Sequence, residues 1–243
     1  MRHIYLLIFY LLIITTKGYG QKLVQYPSSD KLVITADYYE TEKESNKYML
    51  LFHQADYSRG EHKESAQRLI KLGYNCLAVD LRMGNEVNYV RNETAYEAKK
   101  KGFKTTYYDS EKDITASIEY IKSIDSDAEI FLFGSSYSAS LCLKIANERK
   151  DINAVIAFSP GEYFENITLI KDDISGLNIP MFVACQQTEF NYVQTLTSRV
   201  DQSKLTLFKP ERGDGLHGSK TLWWESSTRN EYWLALLFFL KDF

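Results

Sequence analysis

The run Ile130-Phe131-Leu132-Phe133-Gly134-Ser135-Ser136-Tyr137-Ser138-Ala139-Ser140 sets a serine in the frame Gly-x-Ser-x-Ser, between an apolar stretch and a run of small residues. The apolar stretch reads as a buried strand and the small residues as the start of a helix. A sharp strand-to-helix turn of this kind can present a serine hydroxyl for attack on an acyl carbon, and it needs small residues on both flanks. Gly134 and Ser138 meet that need around Ser136. Ser135 is the neighbouring candidate, but Phe133 stands two positions before it. A serine turn that only caps a helix is the plainer alternative.

An alcohol is a weak nucleophile at neutral pH unless a base takes its proton, and histidine titrates in the right range. Four histidines are present. His3 lies in an apolar N-terminal run, His53 ends an early strand and His62 opens a helix. His217 sits in Arg212-Gly213-Asp214-Gly215-Leu216-His217-Gly218-Ser219, after the last expected strand, and is the candidate base. An orienting acid is expected beyond the preceding strand, where Glu189 stands; Glu162, after Phe158-Ser159-Pro160-Gly161, is the alternative acid. Acyl transfer also needs donors for an oxyanion. The backbone N–H of Tyr137 is one candidate and that of Ala55, with Gln54 next, is the other. His53 then shapes this loop. His53, Gln54, Arg82 and Tyr163 are candidates to line a substrate pocket, and Tyr89, Tyr96, Phe103, Trp223 and Trp224 could add aromatic walls. Two rival functions use the same residues: a binding protein that has lost activity, and a peptidase reading a charged terminus with Arg82, Arg91 or Glu162.

The elements that must position these groups show in the hydropathy pattern. Short apolar runs at 32–36, 48–52, 75–80, 130–133, 154–158, 181–184 and 205–208 alternate with amphipathic stretches at 62–72 and 107–124. That alternation implies an α/β fold with a mostly parallel central sheet flanked by helices on both faces. Residues 230–243 are apolar almost all round and read as a helix packed on the sheet. The segment 84–106 shows no clear periodicity and is expected to be a long functional loop or small lid, with Lys99, Lys100 and Lys101 on a solvated face.

Composition narrows the function classes. With 44% hydrophobic and 25% charged residues the chain is globular. A net charge of −3 gives no field that would attract nucleic acid. Residues 1–20 combine Arg2, an apolar run from Ile4 to Ile14 and Gly18-Tyr19-Gly20, the pattern of a cleaved signal peptide. Export to a periplasmic or secreted location is therefore expected, with residues 21–243 as one domain and no stable membrane insertion once the signal is removed. Cys76, Cys142 and Cys185 lack metal-ligand or redox spacing and are expected as buried thiols. His53 and His62 have no carboxylate at ligand spacing, and no glycine-rich phosphate loop occurs, so no metal and no cofactor are expected. The expected partner is a small-molecule ester or acyl substrate.

Several of these segments together resemble the α/β-hydrolase superfamily, and more closely its compact, lidless branch related to dienelactone hydrolases. The resemblance rests on Leu51-Phe52-His53-Gln54-Ala55, Arg59-Gly60-Glu61, Asp80-Leu81-Arg82, the turn at Gly134 to Ser140, Phe158 to Phe164, and Leu216-His217-Gly218-Ser219, which occur in the family's order. It implies a nucleophile at Ser136, an acid at Glu189, a base at His217 and oxyanion amides at Ala55 and Tyr137, with no large cap domain. Dienelactone hydrolases proper use a cysteine nucleophile, so Ser136 implies esterase-like or peptidase-like chemistry, and Ser138 replaces the glycine that usually closes the motif.

Overall fold

The computed structural model describes residues 21–243, and the expected signal segment lies outside the described residues. Strands β1 (Lys22–Pro27), β2 (Val33–Tyr39) and β3 (Lys47–Phe52) come first, followed by helix α1 (Lys63–Lys71) and strand β4 (Asn75–Val79). A two-stranded hairpin of β5 (Glu86–Val87) and β6 (Val90–Arg91) leads into α2 (Glu93–Lys101) and α3 (Glu111–Ile124). Strand β7 (Glu129–Ser135), helix α4 (Tyr137–Glu148) and strand β8 (Ala154–Phe158) form the centre. The remainder comprises α5 (Ile170–Asp173), β9 (Met181–Ala184), α6 (Phe190–Leu196), β10 (Leu205–Phe208) and α7 (Arg229–Leu240).

Eight strands make one sheet in the order β1-β2-β4-β3-β7-β8-β9-β10. It is parallel from β4 to β10, while β1 and β2 pair antiparallel. This is the α/β-hydrolase arrangement, a mostly parallel sheet with helices around it and, among the described residues, no large cap. The central strands are buried on both faces, as parallel sheets require. Alternate residues therefore serve two cores. Leu50, Phe52, Leu132, Val155 and Val183 face α3 and α4, and Met49, Leu51, Phe131, Phe133, Ile156 and Phe182 face α1 and α7. Cys76, Cys142 and Cys185 are buried and unbridged.

The seven expected strands form, and two features differ from the sequence expectation. β1 carries only one buried side chain, Tyr26, because it is an edge strand, so its pattern is faint. The stretch 84–106 is not a featureless loop. Asn92 Oδ1 accepts from Ala95 N–H at 2.8 Å and starts α2, and Gly102, at φ +74°, stops it. Lys99 to Lys101 fall in its last turn, where they complement the helix dipole.

Arg82 also departs from expectation. It is fully buried rather than part of a pocket, with Nη2 2.7 Å from Asp113 Oδ1 and Nη1 2.7 Å from Asp30 Oδ2. Its guanidinium clamps the loop after β4 to α3 and to the segment between β1 and β2. Replacing Arg82 by Met leaves Asp113 buried without its counter-charge. That should cost about 3–5 kcal/mol of unfolding free energy in urea titration; a loss below about 1 kcal/mol would contradict the clamp.

Candidate active site

Ser136 occupies the turn between β7 and α4 at φ +59°, ψ −124°, a conformation that side-chain-bearing residues adopt only under constraint. The constraint is packing. A Cβ at Gly134 would lie 2.5 Å from the backbone N and Cα of Ala139, so only glycine lets strand and helix approach this closely. Ser138, where glycine would be usual, is accommodated by its own hydroxyl: Oγ accepts from Ser135 N–H at 2.9 Å and lies 2.9 Å from Phe52 O.

His217 Nε2 lies 2.8 Å from Ser136 Oγ, and His217 Nδ1 is hydrogen-bonded to Glu189 Oε1. The second oxygen of Glu189 accepts from Ser159 Oγ at 2.6 Å and from Gln186 N–H at 3.1 Å. Burial pushes this carboxyl upward, but the bonds from His217 and Ser159 outweigh it and hold the group below the ordinary carboxylate value. The three side chains expected from the sequence thus meet above the C-terminal ends of β7, β9 and β10. Such a chain can take a proton from the hydroxyl on Nε2 while the carboxylate steadies the imidazole.

The alternatives are engaged elsewhere. The Glu162 carboxylate accepts from Ile170 N–H at 2.6 Å and Lys171 N–H at 2.8 Å, capping α5. Ser135 is fully buried and its Oγ donates to Glu61 Oε1 at 2.7 Å. His53 is buried too. Its Nε2 accepts from Leu81 N–H at 2.9 Å, which puts the ring proton on Nδ1, bonded to Gln54 O; burial lowers its pKa to about 4. Fully buried, it fixes the loop after β3 instead of presenting its ring to a pocket. The Gln54 N–H donates to Glu61 Oε2 at 2.7 Å and is spent. The next N–H, of Ala55, has no acceptor among the described residues. Tyr137 is the first residue of α4, so its N–H has no partner within the helix. Both amides remain available for an oxyanion.

Two residues stand out beyond the expected set. Glu61, 1% exposed, receives hydrogen bonds from Gln54 N–H, Ser135 Oγ and Ser219 Oγ. It joins the loops after β3, β7 and β10. The sequence signal was slight, a glutamate beside Arg59-Gly60. Tyr163, expected only as a pocket wall, places its phenol 3.1 Å from Ser136 Oγ. Beside it opens a cleft of about 140 Å³ lined by Tyr107, Tyr108, Tyr163, Phe164 and Ile167. Of the other expected aromatic walls, Tyr89 is fully exposed at the tip of the β5–β6 hairpin and Trp224 is exposed, while Trp223 stacks on Tyr57.

The model of the dienelactone hydrolase family matches residues 35–207, more than two thirds of the chain. The matched stretch contains Ser136 and Glu189 and ends before His217. Comparison with curated protein sequences gives no match. Among solved structures, the Pyrococcus furiosus esterase Pf2001 superposes with a TM-score of 0.72 at 18% identity, covering 93% of each chain. A dienelactone hydrolase from Anabaena variabilis gives 0.66 at 13% identity, covering 91% of this chain and 95% of the other. The α/β hydrolase GrgF from a Penicillium species gives 0.67 at 12%, covering 92% and 98%. At these identities the structures speak to the fold.

The Glu61 contacts generate a prediction that is independent of any substrate. Glu61→Ala strands two buried hydroxyls and the Gln54 N–H, and should lower the unfolding free energy by about 2–4 kcal/mol, with Ser219→Ala costing about 1 kcal/mol. Equal small losses in both variants, measured by urea unfolding, would show that the three loops are held by other contacts.

Proposed function

Since the chain belongs to the dienelactone hydrolase family, hydrolases of the α/β fold, we propose that it is a serine carboxylesterase working through Ser136, His217 and Glu189. The observation that carries this reading is the contact of 2.8 Å between His217 Nε2 and Ser136 Oγ, on a serine held in the strained turn. In the first half-reaction His217 removes the Ser136 proton as Oγ attacks the ester carbonyl, and the amides of Tyr137 and Ala55 receive the oxyanion. The leaving alcohol departs with the proton from His217. Water, deprotonated by the same imidazole, then releases the acid from the acyl-enzyme. A cysteine is replaced by serine relative to dienelactone hydrolases proper, so a carboxylic ester other than a dienelactone is the proposed substrate.

The cleft beside Tyr163 offers the acyl group an apolar seat, and about 140 Å³ suits a six-membered ring or a short chain. A peptidase reading loses support because Arg82 and Glu162, two of its three candidate recognition groups, are bound within the fold. The N-terminal signal pattern places the enzyme outside the cytoplasm in this reading, with a mature N-terminus near Gln21 that mass spectrometry of exported protein would detect.

A fluorophosphonate should label the folded protein on Ser136, and Ser136→Ala should abolish both labelling and hydrolysis of p-nitrophenyl esters. An unlabelled folded protein sinks the reading and returns the fold to a binding role. Glu189→Gln should lower kcat by roughly 10⁴-fold, whereas Glu162→Gln should alter stability and leave kcat within about threefold. The reverse ranking would make Glu162 the acid.

A further inference from the structure

The phenol of Tyr163 reaches Ser136 through a tightly fixed turn after β8. The Ser159 backbone turns at φ +50°, and Gly161 is locked to α4 by Ser140, whose Oγ donates to Gly161 O at 2.7 Å and accepts from Gly161 N–H at 2.8 Å. The ring of Tyr163 then folds back over Gly161 so closely that a Cβ there would lie 3.1 Å from two ring carbons. Glu162 between them is held by its bonds to α5 and by Tyr192, whose hydroxyl accepts from Glu162 N–H at 2.6 Å. The result is a hydroxyl 3.1 Å from Ser136 Oγ and 3.2 Å from Ser159 O.

Sheet order separates this group from the Ala55 amide. Ser136 follows β7, the Ala55 loop follows β3 on one side of it, and the Tyr163 loop follows β8 on the other. Tyr163 is therefore placed to meet Oγ itself and not the carbonyl oxygen.

We propose that Tyr163 is a further catalytic residue, donating a hydrogen bond to Ser136 Oγ whenever negative charge collects there. This rests on the serine-esterase reading above. The hydrogen count fits. Ser136 has one hydrogen and gives it to His217 Nε2; Tyr163 has one and can keep it on Ser159 O while Oγ is neutral. In acylation the Oγ–C bond forms as the Oγ proton passes to Nε2 and the carbonyl π pair moves to the carbonyl oxygen. In deacylation water bonds to the acyl carbon as its proton passes to Nε2; the Oγ–C bond then breaks, its electron pair goes to Oγ, and that proton passes from Nε2 to Oγ. In both steps the phenol swings from Ser159 O toward Oγ and donates without losing its own proton. Burial raises the phenol pKa, which keeps that proton in place. A contact that strengthens only as charge develops raises the rate and leaves ground-state binding alone.

The test compares wild type, Tyr163→Phe and a protein carrying 3-fluorotyrosine at 163, all at a pH where the fluorophenol stays protonated. Inactivation by a fluorophosphonate gives kinact and KI, and stopped-flow hydrolysis of p-nitrophenyl acetate gives the burst and steady-state rates. For Tyr163→Phe, kinact and the steady-state rate should fall about 10- to 100-fold, with KI and KM unchanged. The fluorotyrosine protein, a stronger donor of the same shape, should match or exceed wild type. Rates in Tyr163→Phe within twofold of wild type, or a rise in KI with kinact unchanged, overturn the proposal and leave Tyr163 a packing residue. If Tyr163→Phe does not fold, a fluorotyrosine protein slower than wild type overturns it. Wild type that takes no label at Ser136 removes the esterase reading, and the role of Tyr163 with it; labelled wild type with an equally fast Tyr163→Phe removes only the latter.

Discussion

Three loops from strands far apart in sequence converge above the sheet, and the carboxylate of Glu61 joins them. An ionised carboxylate accepts hydrogen bonds and donates none, so every neighbour must point a hydrogen at it. Gln54 N–H, Ser135 Oγ and Ser219 Oγ all do. One consequence is geometric: with the Gln54 amide turned down toward Glu61, the next amide, that of Ala55, has no acceptor among the described residues. Another is steric. Ser135 Oγ, held by Glu61, also accepts from Ser219 N–H at 2.8 Å and approaches Gly218 so closely that a Cβ there would sit 2.6 Å away. The glycine after His217 is needed for that approach and for its φ of +72°.

Ser136 and His217 were legible in the sequence because their chemistry ties residue type to chain order. A nucleophile needs a strand, a small-flanked turn and a helix in immediate succession, and a base needs to be a histidine in the loop after the last strand. Glu189, which meets His217 Nδ1, was readable by the same order, while the alternative Glu162 has its carboxylate on the N-terminus of α5. Glu61 was not legible as a junction. Its partners lie 7, 74 and 158 residues away, so no local pattern encodes them. Arg82 was misread for a related reason. An arginine just beyond a strand looks the same whether it faces a pocket or two carboxylates, and only the positions of Asp30 and Asp113 decide.

Elements escaped the sequence where burial was sparse. The buried face of α2 is made of Thr94, Ala95 and Ala98, too small to register as an apolar stripe, although Asn92 and Gly102 mark its ends. β1 lies at the sheet edge and buries only Tyr26. In both cases the missing signal reflects position, since an element at the margin of the core needs few large apolar side chains to hold it.

The loop carrying His217 leans on the last helix. Tyr232 Oη donates to Cys185 O at 2.8 Å, and a Cβ at Gly215 would collide with that same hydroxyl at 2.2 Å. The His217 loop is thereby set in place by a residue that follows it in the chain. The serine turn and its flanking strands come earlier in the chain, and this support for His217 arrives only with α7. A chain synthesised only as far as His217 therefore carries Ser136 and Glu189 without the α7 contact that supports the imidazole loop.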